Sequence, residues 1–389
     1  MQFRQPTATE ISELGQLASQ TFGFPHAKFA LTVERIGAEN LRVAVEDGKL
    51  NGGLAVYRLE QWLGGRAIPM AGVALVCVPP TTRAGGTGRW MMSRLLEELQ
   101  ATGTPLATLF PSTQVPYRRV GFEQAGTWNQ FQLPLTQIGR QRRLVPIHEV
   151  PLEAQSFHSL ATHRASISNG NLSRSPGIWD RLFAPTDPEH PVRGYLLGDR
   201  DNPEGYIVFE QSMPQRIEDR CLLVRDMYAR TGKATETLWA FLHGHRSIFP
   251  NLRWYGPPTD PLLAATEEAR AIPVFNDRWM VRMADVPEAL QQRGYPTGVK
   301  ETLDLEVRDE LIPGNDGRFQ LRVSEGNATV TPGGDGSVQI DVAALAPLFT
   351  SFLSASNLQT LGRITASDQE LQRADAIFAG PEPWMPEKF

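Results

Sequence analysis

Between Ala71 and Trp90 the chain carries residue types whose order suits a phosphate. The run AGVALVCV is apolar and largely β-branched, with Val73, Leu75, Val76 and Val78 at strand length. Pro79 and Pro80 end it, because proline has no N–H with which to continue a ladder. Arg83-Ala84-Gly85-Gly86-Thr87-Gly88-Arg89 follows and opens directly into Met91, Met92, Leu95, Leu96 and Leu99, which share one helical face. A loop at a helix N-terminus offers unpaired N–H groups and the positive end of the helix dipole. Residues without a Cβ let a pyrophosphate come close to the backbone. Taken alone, such a loop also reads as a purely structural turn.

The rest of the sequence bounds what this loop can serve. With 389 residues the chain exceeds one ordinary core, so two or three domains are expected. A net charge of −5 argues against a general nucleic-acid surface. Cys77 and Cys221 are its two cysteines and Cys77 falls in the apolar run, so no disulfide framework is expected and a reducing cytoplasm is the default compartment. The segment MQFRQPTATEISEL has no apolar signal core, and no run approaches membrane-spanning length. No metal site is expected, since His243 and His245 would point about 200° apart on a helix and have no third ligand near them in sequence. Cys77 reads as a small core residue, with no adjacent base to activate it.

Local patterns place the loop in a mixed α/β unit over residues 1–149. Thr7-Ala8-Thr9-Glu10 forms a capping-type start to one helix, and Ala27 to Ile36 predicts a second. Strands are expected at 41–45, 53–59 and 66–78, with Asp47-Gly48 as a hairpin turn. The helix near 89–100 and strands at 106–110 and 127–133 complete the unit. A second unit over 150–285 repeats the strand–loop–helix–strand order, but Lys233 and Thr235 stand where its loop would need glycine. It reads as a degenerate internal copy. Residues 286–389 give alternating strands at 303–307 and 319–323, a turn at Asn315-Asp316-Gly317, and a strand at 338–342. A helix at 344–355 turns Leu345, Leu348, Phe349 and Phe352 inward and tolerates Pro347 only as a first-turn residue. The fold class is α+β with α/β-like sheets.

Arg83-x-x-Gly86-x-Gly88 behind an apolar strand resembles the acyl-CoA loop of the GNAT N-acetyltransferases. Tyr117-x-Arg119-x-Gly121-Phe122 resembles a segment of one branch of them. A second, degenerate acetyltransferase unit and a small domain like the sterol-carrier fold make the whole chain similar to the enhanced-intracellular-survival (Eis) family. The junction Trp279-Met280-Val281-Arg282 leading to Asp285-Val286 and Ala289-Leu290 also looks like that family's.

The resemblance implies transfer of an acetyl group from acetyl-CoA to amines of multi-amine small molecules, aminoglycoside-like, or to lysine side chains. It implies Tyr117 as the acid that protonates the departing sulfur, and the carboxylate of Phe389 as the base that accepts the amine proton. It places Val76, Cys77 and Val78 along the pantetheine arm, Ala84, Gly85, Gly86, Thr87, Gly88 and Arg89 with Arg83 at the pyrophosphate, and Ser112 and Thr113 beside the thioester. It also implies a homohexamer. From the residues alone, Tyr117 reads equally as a core tyrosine, and Phe389 as the end of a frayed tail. Trp62, Trp128 and Trp384 suit an acceptor cavity or simple packing. A competing reading makes the third unit the working part, a lipid or sterol carrier on a vestigial acetyltransferase body.

Overall fold

Thr7 opens the first helix as its spacing with Glu10 requires: the Thr7 N–H donates to the Glu10 carboxylate at 2.7 Å, and the Glu10 N–H donates back to Thr7 Oγ1. The computed structural model describes residues 1–389 except Ala84 and Ala269. In the first unit the order is β1 (Gln2–Arg4), α1 (Ala8–Phe22), α2 (His26–Ile36), β2 (Leu41–Glu46), β3 (Lys49–Leu63), β4 (Arg66–Cys77), α3 (Thr87–Ala101), β5 (Leu106–Leu109), α4 (Val115–Arg118) and β6 (Glu123–Pro134). Asp47 and Gly48 both take positive φ, 49° and 74°, the backbone that a tight hairpin between β2 and β3 demands.

The second unit runs β7 (Ile147–Val150), α5 (Ala154–Ser166), β8 (Leu172–Ser173), α6 (Pro176–Phe183), β9 (Arg193–Asp199), β10 (Asn202–Ser212), β11 (Cys221–Ala229), α7 (Gly232–His243), β12 (Asn251–Gly256) and β13 (Ile272–Met283). The two units do not form separate sheets. Among the described residues a single 13-stranded sheet runs β1-β2-β3-β4-β5-β13-β6-β12-β11-β10-β9-β7, with β8 attached to β3. β13 is inserted between β5 and β6, pairing Met280 with Leu109 on one side and Trp279 with Gly126 on the other. Gly126 fits because a Cβ there would lie 2.0 Å from the Trp279 ring.

The third unit comprises α8 (Val286–Gln292), β14 (Glu301–Arg308), β15 (Gly317–Ser324), β16 (Asn327–Pro332), β17 (Val338–Asp341), α9 (Val342–Phe349), α10 (Ala355–Thr360), β18 (Ile364–Thr365) and α11 (Asp368–Ile377), with a sheet ordered β16-β15-β14-β17-β18. The helix expected at 344–355 is two helices. α9 ends at Phe349, and Ser351 at φ 67° turns the chain before α10. Pro347 lies inside α9 rather than in its first turn, so the helix tolerates one missing N–H close to its end. Leu345, Leu348 and Phe349 are buried as expected, whereas Phe352 is half-buried beneath the Arg278 guanidinium. Asn315 is no surface turn residue: fully buried, it accepts from the Val286 N–H and donates to Met283 O, Ala284 O and Asp309. The third unit shares a core with the first, where Leu303, Leu305 and Leu345 pack in one cluster with Leu59, Ile68 and Met70.

Candidate active site

β4 and β5 run parallel and pair from Met70–Leu106 to Val73–Leu109. Beyond Val73, β4 continues beside β3 alone, and the register between those two slips between Gly53 and Ala55. The slip is a bulge, with Leu75 held at φ 53°, a strain of about 1–3 kcal/mol for a non-glycine residue. It exchanges the faces of the strand. Val73 packs with Met91, Met92 and Leu95 under α3; after the bulge Val76 and Val78 do so, while Leu75 and Cys77 turn to α1 and α2. The Cys77 side chain is therefore buried on the far face, its thiol against Gly53 O at 3.7 Å, and burial pushes that thiol up to about 12.

The opening between β4 and β5 leads to a cavity of about 650 Å³. Val76, Val78, Arg83, Gly86, Thr87, Gly88, Arg89, Ser112, Thr113 and Tyr117 line it together with Thr21, Phe22, Met92 and Arg119. Ala84 lies outside the described residues; Gly85 is beside the cavity without lining it, its N–H bonded to Thr82 O. Asn51 on β3 pins the loop from below, accepting from Thr82 Oγ1 at 2.9 Å and donating to Thr87 Oγ1 at 3.2 Å. Gly86, at φ 92°, is the N-cap of α3, and no side chain caps this helix. Among the described residues Arg83, Arg89 and Arg119 have no ion-pair partner, and the buried Thr21 hydroxyl has no hydrogen bond. These free donors fit an acyl-CoA pyrophosphate.

Tyr117 lines the same cavity. Its ring packs edge-on against Phe122, and its hydroxyl has no hydrogen bond among the described residues. Burial, and secondarily the nearby Cys77, raises its pKa to about 12, so it holds its proton throughout the neutral range. Gly121 permits this turn at φ 84°, where a Cβ would come 2.6 Å from Arg282 Nε.

The tail is threaded, not frayed. Thr127 donates its N–H to Pro383 O and accepts from the Met385 N–H, Trp384 donates to Asn169 O, and Asn171 Nδ2 donates to Trp384 O. Glu387 accepts twice from Arg174, at 2.8 and 3.0 Å. Arg174 and Arg164 both pair with the buried Asp226; burial opposes its charge, but the two guanidiniums outweigh that and hold it at about 2. Phe389 is 9% exposed, its ring 5.8 Å from Tyr57 and 5.5 Å from Phe110. The ring lies over Gly72, where a Cβ would meet it at 2.8 Å. Gly72 precedes the last β4–β5 pair, on the face opposite Val73. Tyr117 and Phe389 thus approach the opening from the two faces of the sheet.

A second cavity, of about 140 Å³, lies beside the tail and is lined by Trp128, Arg174, Arg181, Arg225, Tyr255 and Glu387 among others. Trp128 touches Phe110 at 5.8 Å, and Phe110 lies two residues before Ser112 of the first cavity. Trp62 is instead fixed by its indole N–H to Ser173 Oγ, and Trp384 walls a separate cavity with Tyr228 and Pro261. Arg119 was within reach of sequence reading, as part of the Tyr-x-Arg segment, and Gly72 in an apolar strand signals close approach. Arg181 and Arg225 carried no sequence signal.

The bulged β4, its divergence from β5 and the uncapped α3 define an acyl-CoA transferase of the GNAT fold. Residues 2–125 and 170–283 each match the acetyltransferase (GNAT) domain family, and residues 286–386 match the sterol carrier protein domain. The crystal structure of a GCN5-related N-acetyltransferase from Anabaena variabilis is 36% identical, with a TM-score of 0.96 and all of both chains covered. N-acetyltransferase Eis of Mycobacterium tuberculosis is 29% identical over 374 residues, 88% of this chain and 87% of its own. Eis1 from Mycobacterium abscessus, at 24% identity and a TM-score of 0.82 over both full chains, shares the fold. The chain belongs to the GCN5-related N-acetyltransferases, enzymes that transfer an acetyl group from acetyl-CoA, and is similar over most of its length to the Eis proteins among them. Among the described residues no helix is long and apolar enough to cross a membrane.

Proposed function

We propose that this chain acetylates a primary amine at the β4–β5 opening, with Tyr117 as acid and the Phe389 carboxylate as base. The placement of the Tyr117 and Phe389 side chains on opposite faces of the sheet at this opening is the observation that carries this reading. In it, the uncapped α3 and the guanidiniums of Arg83, Arg89 and Arg119 hold the cofactor phosphates, while Val76 and Val78 flank the pantetheine arm. The amine nitrogen forms its bond to the acetyl carbon as the C–S bond breaks. The Phe389 carboxylate takes the proton the nitrogen loses, directly or through water, and Tyr117 gives its hydroxyl proton to the departing sulfur. The family resemblance points to multi-amine small molecules or lysine side chains as acceptors, a choice that the charge lining the cavity beside the tail narrows. On this reading the chain divides at 1–149, 150–285 and 286–389, with the third unit supplying the base.

One added residue tests the tail. An alanine after Phe389 moves the carboxylate, so kcat falls by about 10²–10⁴, while acetyl-CoA binding measured by calorimetry persists. Unchanged kcat in that variant excludes the terminal base.

A further inference from the structure

The cavity beside the tail has a charge that its neighbours do not cancel. Arg174 is neutralised by Asp226 and Glu387, and Arg225 lies 3.2 Å from Glu210. Arg181 and Lys388 remain. Both line the cavity, and among the described residues neither has a carboxylate within ion-pair distance. Lys388 Nζ rests over the rings of Phe110 and Trp128, at 5.5 and 5.3 Å. The Arg181 guanidinium makes no hydrogen bond at all among the described residues, and the groups facing it are Tyr57, Arg35, Arg225 and Glu387. Burial first, then Arg35 and Arg225, disfavours its charge, so the site is short of an anion. A further donor is unclaimed: among the described residues the buried Trp128 Nε1–H has no acceptor.

The backbone explains how these groups converge. Ile178, Arg181 and Leu182 share one face of α6. On β11 the register with β10 slips at Arg225, so Leu223 and Arg225 line the cavity and the adjacent Asp226 stays on their side to anchor Arg164 and Arg174. Leu222, Val224 and Met227 turn instead to the core under α7.

Building on the acetyl-transfer reading, we propose that this cavity holds an anionic group of the acceptor itself. The substrate is then an amine that also carries a carboxylate or a phosphonate-like anion, an amino acid rather than a polycation. Arg181 grips the anion through the paired N–H groups of its guanidinium, and Trp128 and Lys388 close on it from the tail side. At about 140 Å³ the space suits a fragment about the size of benzene. The amine then reaches past Phe110 and Phe389 to the opening. A polycation is disfavoured here, because it would bring like charge to an unpaired guanidinium.

Matched acceptors that differ only in the anion test this. Thiol release from acetyl-CoA would be compared for lysine against cadaverine and 5-aminopentanoate against pentylamine, with 5-aminopentylphosphonate separating carboxylate from phosphoryl recognition. The expected result is a kcat/KM ratio of about ten- to a hundred-fold in favour of the anionic member, expressed in KM. Arg181→Met should collapse that ratio toward one, and Arg181→Lys should keep part of it. A polyamine or cadaverine used as well as lysine overturns the proposal, as does a ratio that survives Arg181→Met. If no amine is turned over, the acetyl-transfer reading fails instead. Calorimetric titration of 5-aminopentanoate and pentylamine into the CoA-loaded protein then still decides, since equal binding of the two overturns the anion site.

Discussion

The two acetyltransferase halves meet their loops with opposite chemistry. In the first, Gly86 opens α3 at φ 92° with no side-chain cap, and the free helix end faces a cavity around which three guanidiniums have no ion-pair partner among the described residues. In the second, Thr231 caps α7, accepting from the Ala234 N–H at 3.1 Å and donating to the Glu204 carboxylate. The Arg230 N–H is also taken, by Glu204 O at 2.7 Å. The second helix end has satisfied itself and placed an acid where a phosphate would go. The same architecture therefore leaves a helix end open to an anion or closes it according to a few residues at the cap.

Exchanging those residues breaks the comparison most severely. Replacing 86–88 with the sequence of 231–233 (TGK) puts a capping side chain at position 86 and removes at least two charge-assisted N–H contacts of about 1.5–3 kcal/mol each, so acetyl-CoA affinity falls roughly 10²–10⁴-fold. Calorimetry with a melting curve as the folding control reads this out. The halves differ next in their acid, since no tyrosine follows β12 before Ile272 as Tyr117 follows β5. Tyr117→Phe should lower kcat about 10²–10³-fold with acetyl-CoA binding retained. Because burial raises the pKa of Tyr117 to about 12, its proton is present below that pH, and wild-type kcat should show no alkaline fall from loss of this acid between about pH 8 and 10. The smallest effect lies in the second half. Thr231→Ala removes the cap and costs about 1 kcal/mol of stability by denaturant titration, with kcat unchanged.

Much of this was legible locally. The Thr7–Glu10 cap, the Asp47-Gly48 turn and the α3 face follow from short-range period and turn chemistry, and each stands in the structure. The bulge at Leu75 was hidden because β4 is apolar on both faces, so a change of side leaves no mark in the pattern. The insertion of β13 between β5 and β6 was equally silent, since strand partners far apart in sequence are chosen by global packing. Arg181 reads as an ordinary polar position on a short helix, and only its empty surroundings give it meaning. Gly72 was the overlooked clue, a residue without a side chain in a strand otherwise rich in them.

The inserted strand also governs how the protein comes into being. Leu109 cannot complete its edge until Met280 has been made, and Gly126 waits for Trp279. During synthesis the first half therefore stands with an unpaired parallel-strand edge exposed, a surface prone to pair with another chain. Such distant pairings fold slowly. The halves are joined as interlocked parts, so neither should survive being expressed alone, and a circularly permuted gene that brings β13 beside β5 should shorten the wait.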